Sequence, residues 1–104
     1  MPSVEEQLLS DFFSAARLGD RTMVARVSLV DLDPRTDGIV EAFDVVRAEA
    51  DGGNADRRIL TVDARVRRLD GATEPRTMSI ALQRGTDGRW RVARWEFVTG
   101  DRAG

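Results

Sequence analysis

Histidine, cysteine, tyrosine and lysine are all missing from this 104-residue chain. Their absence removes an imidazole general base, a thiolate nucleophile, a Schiff-base amine, a phenolic donor and any His/Cys metal site. Carboxylates, hydroxyls, arginines, amides and backbone groups are left, and no cofactor is expected. Without cysteine there is no disulfide, so cysteine usage says nothing of the redox compartment. Long apolar runs are missing as well. No window approaches the roughly 18 residues that span a bilayer, so no membrane span is expected. The opening Met1-Pro2-Ser3-Val4-Glu5-Glu6 has neither a basic nor an apolar leader region, which reads as cytoplasmic. A leader removed ahead of Ser3 would make the chain secreted or periplasmic instead.

Strong charge of one sign is also lacking. Sixteen basic residues, all arginine, face 18 acidic ones for a net charge of −2, which gives no global pull toward nucleic acid or anionic membrane. Arginine without lysine is a coding bias of GC-rich genomes, such as many bacterial ones. The length fits a single domain, residues 1–104, with one core and room for no more than a modest pocket.

Ser3 and Glu6 form a capping box at the start of a helix, with Pro2 just outside it. Val4, Leu8, Leu9, Phe12, Phe13 and Ala16 recur at three- and four-residue spacing and make one apolar stripe. Gly19 stops this helix, and Asp20 caps a shorter one carrying Met23, Val24 and Val27 on one face. From Ser28 to Asp37 the pattern dissolves into a connector, with Pro34 forcing Asp33 out of helical geometry.

Beyond Gly38 the apolar period falls to two. Ile39 to Ala50 reads as a first strand whose pattern supports either of two buried faces: Ile39, Phe43 and Val45, or Val40, Ala42 and Val46. In a second strand Leu60, Val62, Ala64 and Val66 alternate with Thr61, Asp63, Arg65 and Arg67. A loop with Asp70-Gly71 and Pro75 leads to a third strand, Met78, Ile80 and Leu82 inward and Thr77, Ser79, Ala81 and Gln83 outward. Gly85-Thr86-Asp87-Gly88 then turns the chain into Trp90 and Val92. The expected fold is therefore α+β, an N-terminal helix hairpin packed on a four-stranded antiparallel meander sheet.

Matching the inward sets suggests Val66 opposite Met78, Ala64 opposite Ile80 and Leu82 opposite Trp90. On the other face this register lines up Asp63, Ala81 and Arg91, then Arg65, Ser79 and Ala93, then Arg67, Thr77 and Trp95, with an Arg91–Asp63 ion pair across strands. A bulge near Ala93 would instead turn Trp95 and Phe97 inward.

The two helices broken at Leu18-Gly19-Asp20, followed by long strands closing on Asp87-Gly88-Arg89-Trp90-Arg91-Val92, resemble the nuclear-transport-factor-two-like superfamily with its cystatin-like α+β fold. That resemblance implies a cone whose mouth takes a small hydrophobic molecule and a sheet face that often dimerises. No catalytic residue carries over, since no tyrosine or histidine stands where the family's isomerases and dehydratases use them.

Four candidate sites follow from the residues. Phe12, Trp90 and Arg94 would line a ligand pocket, although a tryptophan beneath helices is ordinarily core. Arg67, Thr77, Ser79, Ala81, Ala93 and Trp95 would form a face through which a homodimer assembles, or else a solvated face with one scattered aromatic. An arginine-rich patch around Arg57, Arg58, Arg65, Arg67 and Arg68 is interrupted by Asp56, Asp63 and Asp70, so paired surface charge is preferred to nucleic-acid binding. Glu96, Glu41 or Asp44 would be the lone general base of a small isomerase, cyclase or dehydratase. The preferred reading is a noncatalytic small-ligand-binding or protein-interaction domain, and the enzyme is the alternative.

Overall fold

The computed structural model describes residues 3–33 and 35–98; Pro2 and Pro34 lie outside them. Helix α1 (Val4–Leu18) begins at the expected capping box, the Ser3 hydroxyl accepting the Glu6 N–H while the Glu6 carboxylate accepts that of Ser3, both at 3.1 Å. It ends at Gly19, whose φ of 71° closes the last turn at little cost for a residue without Cβ. Asp20 caps α2 (Arg21–Val27) through the Met23 N–H at 3.1 Å.

Four antiparallel strands follow: β1 (Ile39–Asp51), β2 (Asn54–Arg67), β3 (Thr73–Arg84) and β4 (Trp90–Phe97), in the spatial order of the sequence. The helices pack on one side of this open sheet, so the α+β meander expected from the pattern is the fold. The core gathers Leu9 and Phe12 of α1 with Leu60, Val62, Met78, Ile80 and Val92 of the sheet, all fully buried. Each comes from the periodic apolar set of its own element. No helix of the described residues is long and apolar enough to cross a membrane.

The register differs from the sequence expectation. Val66 lies opposite Glu74 rather than Met78, Ala64 opposite Arg76 rather than Ile80, and Leu82 opposite Val92 rather than Trp90. The inward sets still face one another, because any slip by an even number of residues keeps every side chain on its own face. The shorter β2–β3 loop brings Pro75 into β3, opposite Arg65. β4 pairs with β3 only as far as Phe97 opposite Met78, so Pro75 stands where β3 has a neighbour on one side alone, as a residue without N–H requires.

Bulges decide what alternation could not. In β1 the pairing skips Glu41 and Val46, so Val40, Phe43 and Val45 all turn toward the helices and both proposed faces are partly right. In β4 the pairing passes from Leu82–Val92 to Ala81–Arg94 and leaves Ala93 as the extra residue. Trp95 and Phe97 therefore turn inward against the core, their rings 5.2 Å apart.

Candidate functional site

The sheet has one face beneath the helices and, among the described residues, no helix on the other. Register places two complete rows across this open face. One runs Glu49, Ile59, Ala81 and Arg94 from β1 to β4; the next runs Arg47, Thr61, Ser79 and Glu96. Small or β-branched residues fill the middle and charges stand at both edges. Ala81, in the middle of its row, is only 7% exposed. In the next row Thr77 Oγ1 donates to Asp63 Oδ1 at 3.4 Å.

The expected face keeps Arg67, Thr77, Ser79 and Ala81 and loses Trp95. The Ala93 bulge sends Trp95 to the helix side, where its indole Nε1 donates to the Asp31 carbonyl at 2.9 Å and pins the connector against β4. Ala93 itself is the half-buried residue of the bulge. Arg91 pairs with Asp87 at 2.9 Å and not with Asp63, since the real register carries it opposite Gln83.

The expected ligand wall is dispersed. Phe12 is sealed in the core, Arg94 is on the open face bonded to Glu96 at 3.2 Å, and only Trp90 meets a recess. That recess holds about 260 Å³ between Val4, Glu5, Arg58, Leu82 and Trp90. The Arg58 and Arg84 guanidinium carbons lie 5.6 and 5.4 Å from the Trp90 ring centre, within cation–π range. Each is also neutralised by a carboxylate, Arg58 by Glu5 at 2.5 Å and Arg84 by Asp56 at 2.6 Å. The recess is smaller than the roughly 300–1,000 Å³ typical of ligand sites.

The three candidate bases stand apart from any apolar pocket. Glu41 is the bulged residue of edge strand β1 and pairs with Arg67; Asp44 lies opposite Asp63; Glu96 sits on the open face beside Arg94. All three are exposed. No group of three or more acids converges to hold a metal among the described residues.

Several residues that shape these surfaces escaped the sequence reading. Arg47 and Glu49 belong to the open face, but the two β1 bulges hid which side they take, and Glu49 was weighed only as an acid; Ile59 precedes the alternating run of β2 that begins at Leu60 and went unread. Ser28 is the one buried polar residue described. Its hydroxyl lies 2.6 Å from the Val30 carbonyl and 3.2 Å from that of Val92, and accepts the Val30 N–H at 3.0 Å, clipping the connector to β4. Its place after α2 read only as the first residue of a loop. Comparison with family models, curated proteins and solved structures finds no match to this chain.

Proposed function

We propose that this chain is a noncatalytic interaction domain that assembles as a homodimer through its open sheet face. The observation that carries the reading is a four-stranded face that no helix covers among the described residues, while its centre holds the small Ala81, Ser79 and Thr61 beside Ile59. Small side chains let a second sheet approach to about 10 Å. β4 is 8 residues long and β1, β2 and β3 are longer, so the face offers at least roughly 500 Å² in projection. A standard interface takes roughly 800 Å² of accessible area from each partner. The resemblance to the nuclear-transport-factor-two-like superfamily leads to the same expectation. The Trp90 recess, at about 260 Å³, is small for a ligand site, and the enzyme alternative draws no support from Glu41, Asp44 or Glu96 where they stand.

Sedimentation equilibrium tests the reading on the full chain. The wild type should be a dimer, and Ala81→Arg, which drives a charge into the centre of the face, should be a folded monomer by circular dichroism. A wild type that stays monomeric at every soluble concentration, or an Ala81→Arg variant that dimerises as before, overturns it.

A further inference from the structure

The charges on the open face have a pattern that the proposed homodimer reading, on which this inference rests, does not require. In the first row the β1 edge is negative at Glu49 and the β4 edge positive at Arg94. In the next row the signs are exchanged, Arg47 positive and Glu96 negative. Each pair sits on its strand at i and i+2, and all four side chains are exposed. The four corners of these two rows thus form an electrostatic quadrupole, the simplest arrangement that attracts its own rotated copy.

Two rotations can lay the face on itself with strands aligned. A two-fold axis parallel to the strands and midway between β2 and β3 sets β1 over the partner's β4. Glu49 then meets the partner's Arg94, and Arg47 the partner's Glu96. An axis across the strands sets each strand over its own copy. Glu49 then meets the partner's Arg47, and Arg94 the partner's Glu96. Charge favours both, and the centre of the face separates them. The first axis places Ile59 over the partner's Ala81 and Thr61 over the partner's Ser79, large on small. The second crowds Ile59 against the partner's Thr61 and leaves Ala81 facing the partner's Ser79 across a void, which close packing disfavours.

We propose that two copies of this chain associate about a two-fold axis parallel to the strands, in the register that sets Glu49 against the partner's Arg94 and Arg47 against the partner's Glu96. Glutamate and arginine side chains reaching from opposite sheets span the gap of about 10 Å between them. The Arg94–Glu96 contact within one chain is an exposed pair that holds little energy of its own, so exchanging it for contacts across the interface costs little. The arrangement fixes register and orientation, the role complementary charge best serves at an interface.

Charge reversal distinguishes the two axes. In Glu49→Arg, two symmetry-related contacts change from attraction to repulsion, and dimerisation should weaken roughly tenfold or more. Adding Arg94→Glu should restore it to near the wild-type constant. Adding Arg47→Glu instead should weaken it further, since that exchange sets like charges together about the parallel axis. All sites are exposed, the last two variants keep the composition of charge, and thermal melts report whether each is folded.

Restoration by Arg47→Glu in place of Arg94→Glu overturns the parallel axis while the sheet-face reading stands. Equal dimerisation of every charge variant, with Ala81→Arg monomeric, likewise overturns the register alone. A monomeric wild type, or a dimer indifferent to Ala81→Arg, removes the sheet-face reading and the register with it.

Discussion

The two faces of this sheet are made by alternate residues of the same strands, yet they are held by different physics. On the helix side Leu60, Val62, Met78, Ile80 and Val92 have no exposed surface at all. On the open side their immediate neighbours Thr61, Asp63, Ser79 and Arg91 remain in contact with solvent. Burial of apolar area stabilises the first face without regard to direction and without being screened by salt as charges are. The second face contributes through ion pairs and single hydrogen bonds whose worth depends on solvent, charge and a partner. The fold therefore depends mainly on one face, which leaves the other free to carry function.

The sharpest way to break this comparison is to truncate two adjacent residues of β3. Ile80→Ala deletes a fully buried side chain among Leu9, Phe12 and Leu60 and should cost about 2–5 kcal/mol through lost transfer energy and the cavity left behind. Ser79→Ala, one residue away on the open face, should change the folding free energy by no more than about 0.5 kcal/mol. Urea titrations of the two variants at a concentration where each is monomeric provide the check. Similar losses would mean that the open face contributes to folding as the helix side does.

A smaller effect is expected where the chain enters the sheet. Gly38 has φ of 91°, and a Cβ there would stand 2.6 Å from Val66 Cγ1 and 3.0 Å from the Arg67 carbonyl. Gly38→Ala should therefore destabilise by about 2 kcal/mol or more, from left-handed strain together with displacement of a core valine. Gly52 also has a positive φ of 51°, but a Cβ there would meet nothing. Gly52→Ala should cost only the strain. The difference between the two melting temperatures measures how tightly the helix-side core is closed around the start of β1.

Much of the helix side was legible in the sequence, because a single physical signal governs it. The capping box, the Gly19 stop and the α1 stripe are local, and alternation in β2 and β3 names the buried residues whatever their partners. Register was less legible for the same reason: alternation is blind to even slips, so Val66 opposite Glu74 and Val66 opposite Met78 satisfy it equally. Bulges were less legible still: the one at Ala93 stood open only as an alternative, and those at Glu41 and Val46 went unread. An extra residue at Glu41, Val46 or Ala93 reverses the faces beyond it, and no residue type at those positions marks it. Hence Trp95 was read as an anchor of the open face when it seals the connector, and the charges at Arg47 and Glu49 went unassigned. The candidate site suffered more than the fold because it lies on the face that burial does not specify.

The smallest expected effect concerns acid, and it separates the two faces by mechanism. In the β3–β4 turn Asp87 Oδ1 accepts the Arg89 N–H at 3.0 Å while Oδ2 bonds the Arg91 guanidinium at 2.9 Å. Chiefly through Arg91, and then through the Arg89 N–H, its carboxyl is held down to about 2 from an ordinary 3.8. A folded value below the unfolded one means that the unfolded chain binds the proton first as pH falls. The stabilisation is therefore complete above the ordinary value and is lost as pH drops toward about 2. Asp87→Asn keeps an acceptor for the Arg89 N–H and removes the charge, so its stability curve should converge on that of the wild type in acid. Ile80→Val, which touches no ionisable group, should lie about 0.5–1.5 kcal/mol lower at every pH. Thermal melts across the acid range read both curves. An Asp87→Asn curve that runs parallel to the wild type would show that this turn's charge is not linked to folding, leaving burial on the helix side as the source of stability at every pH.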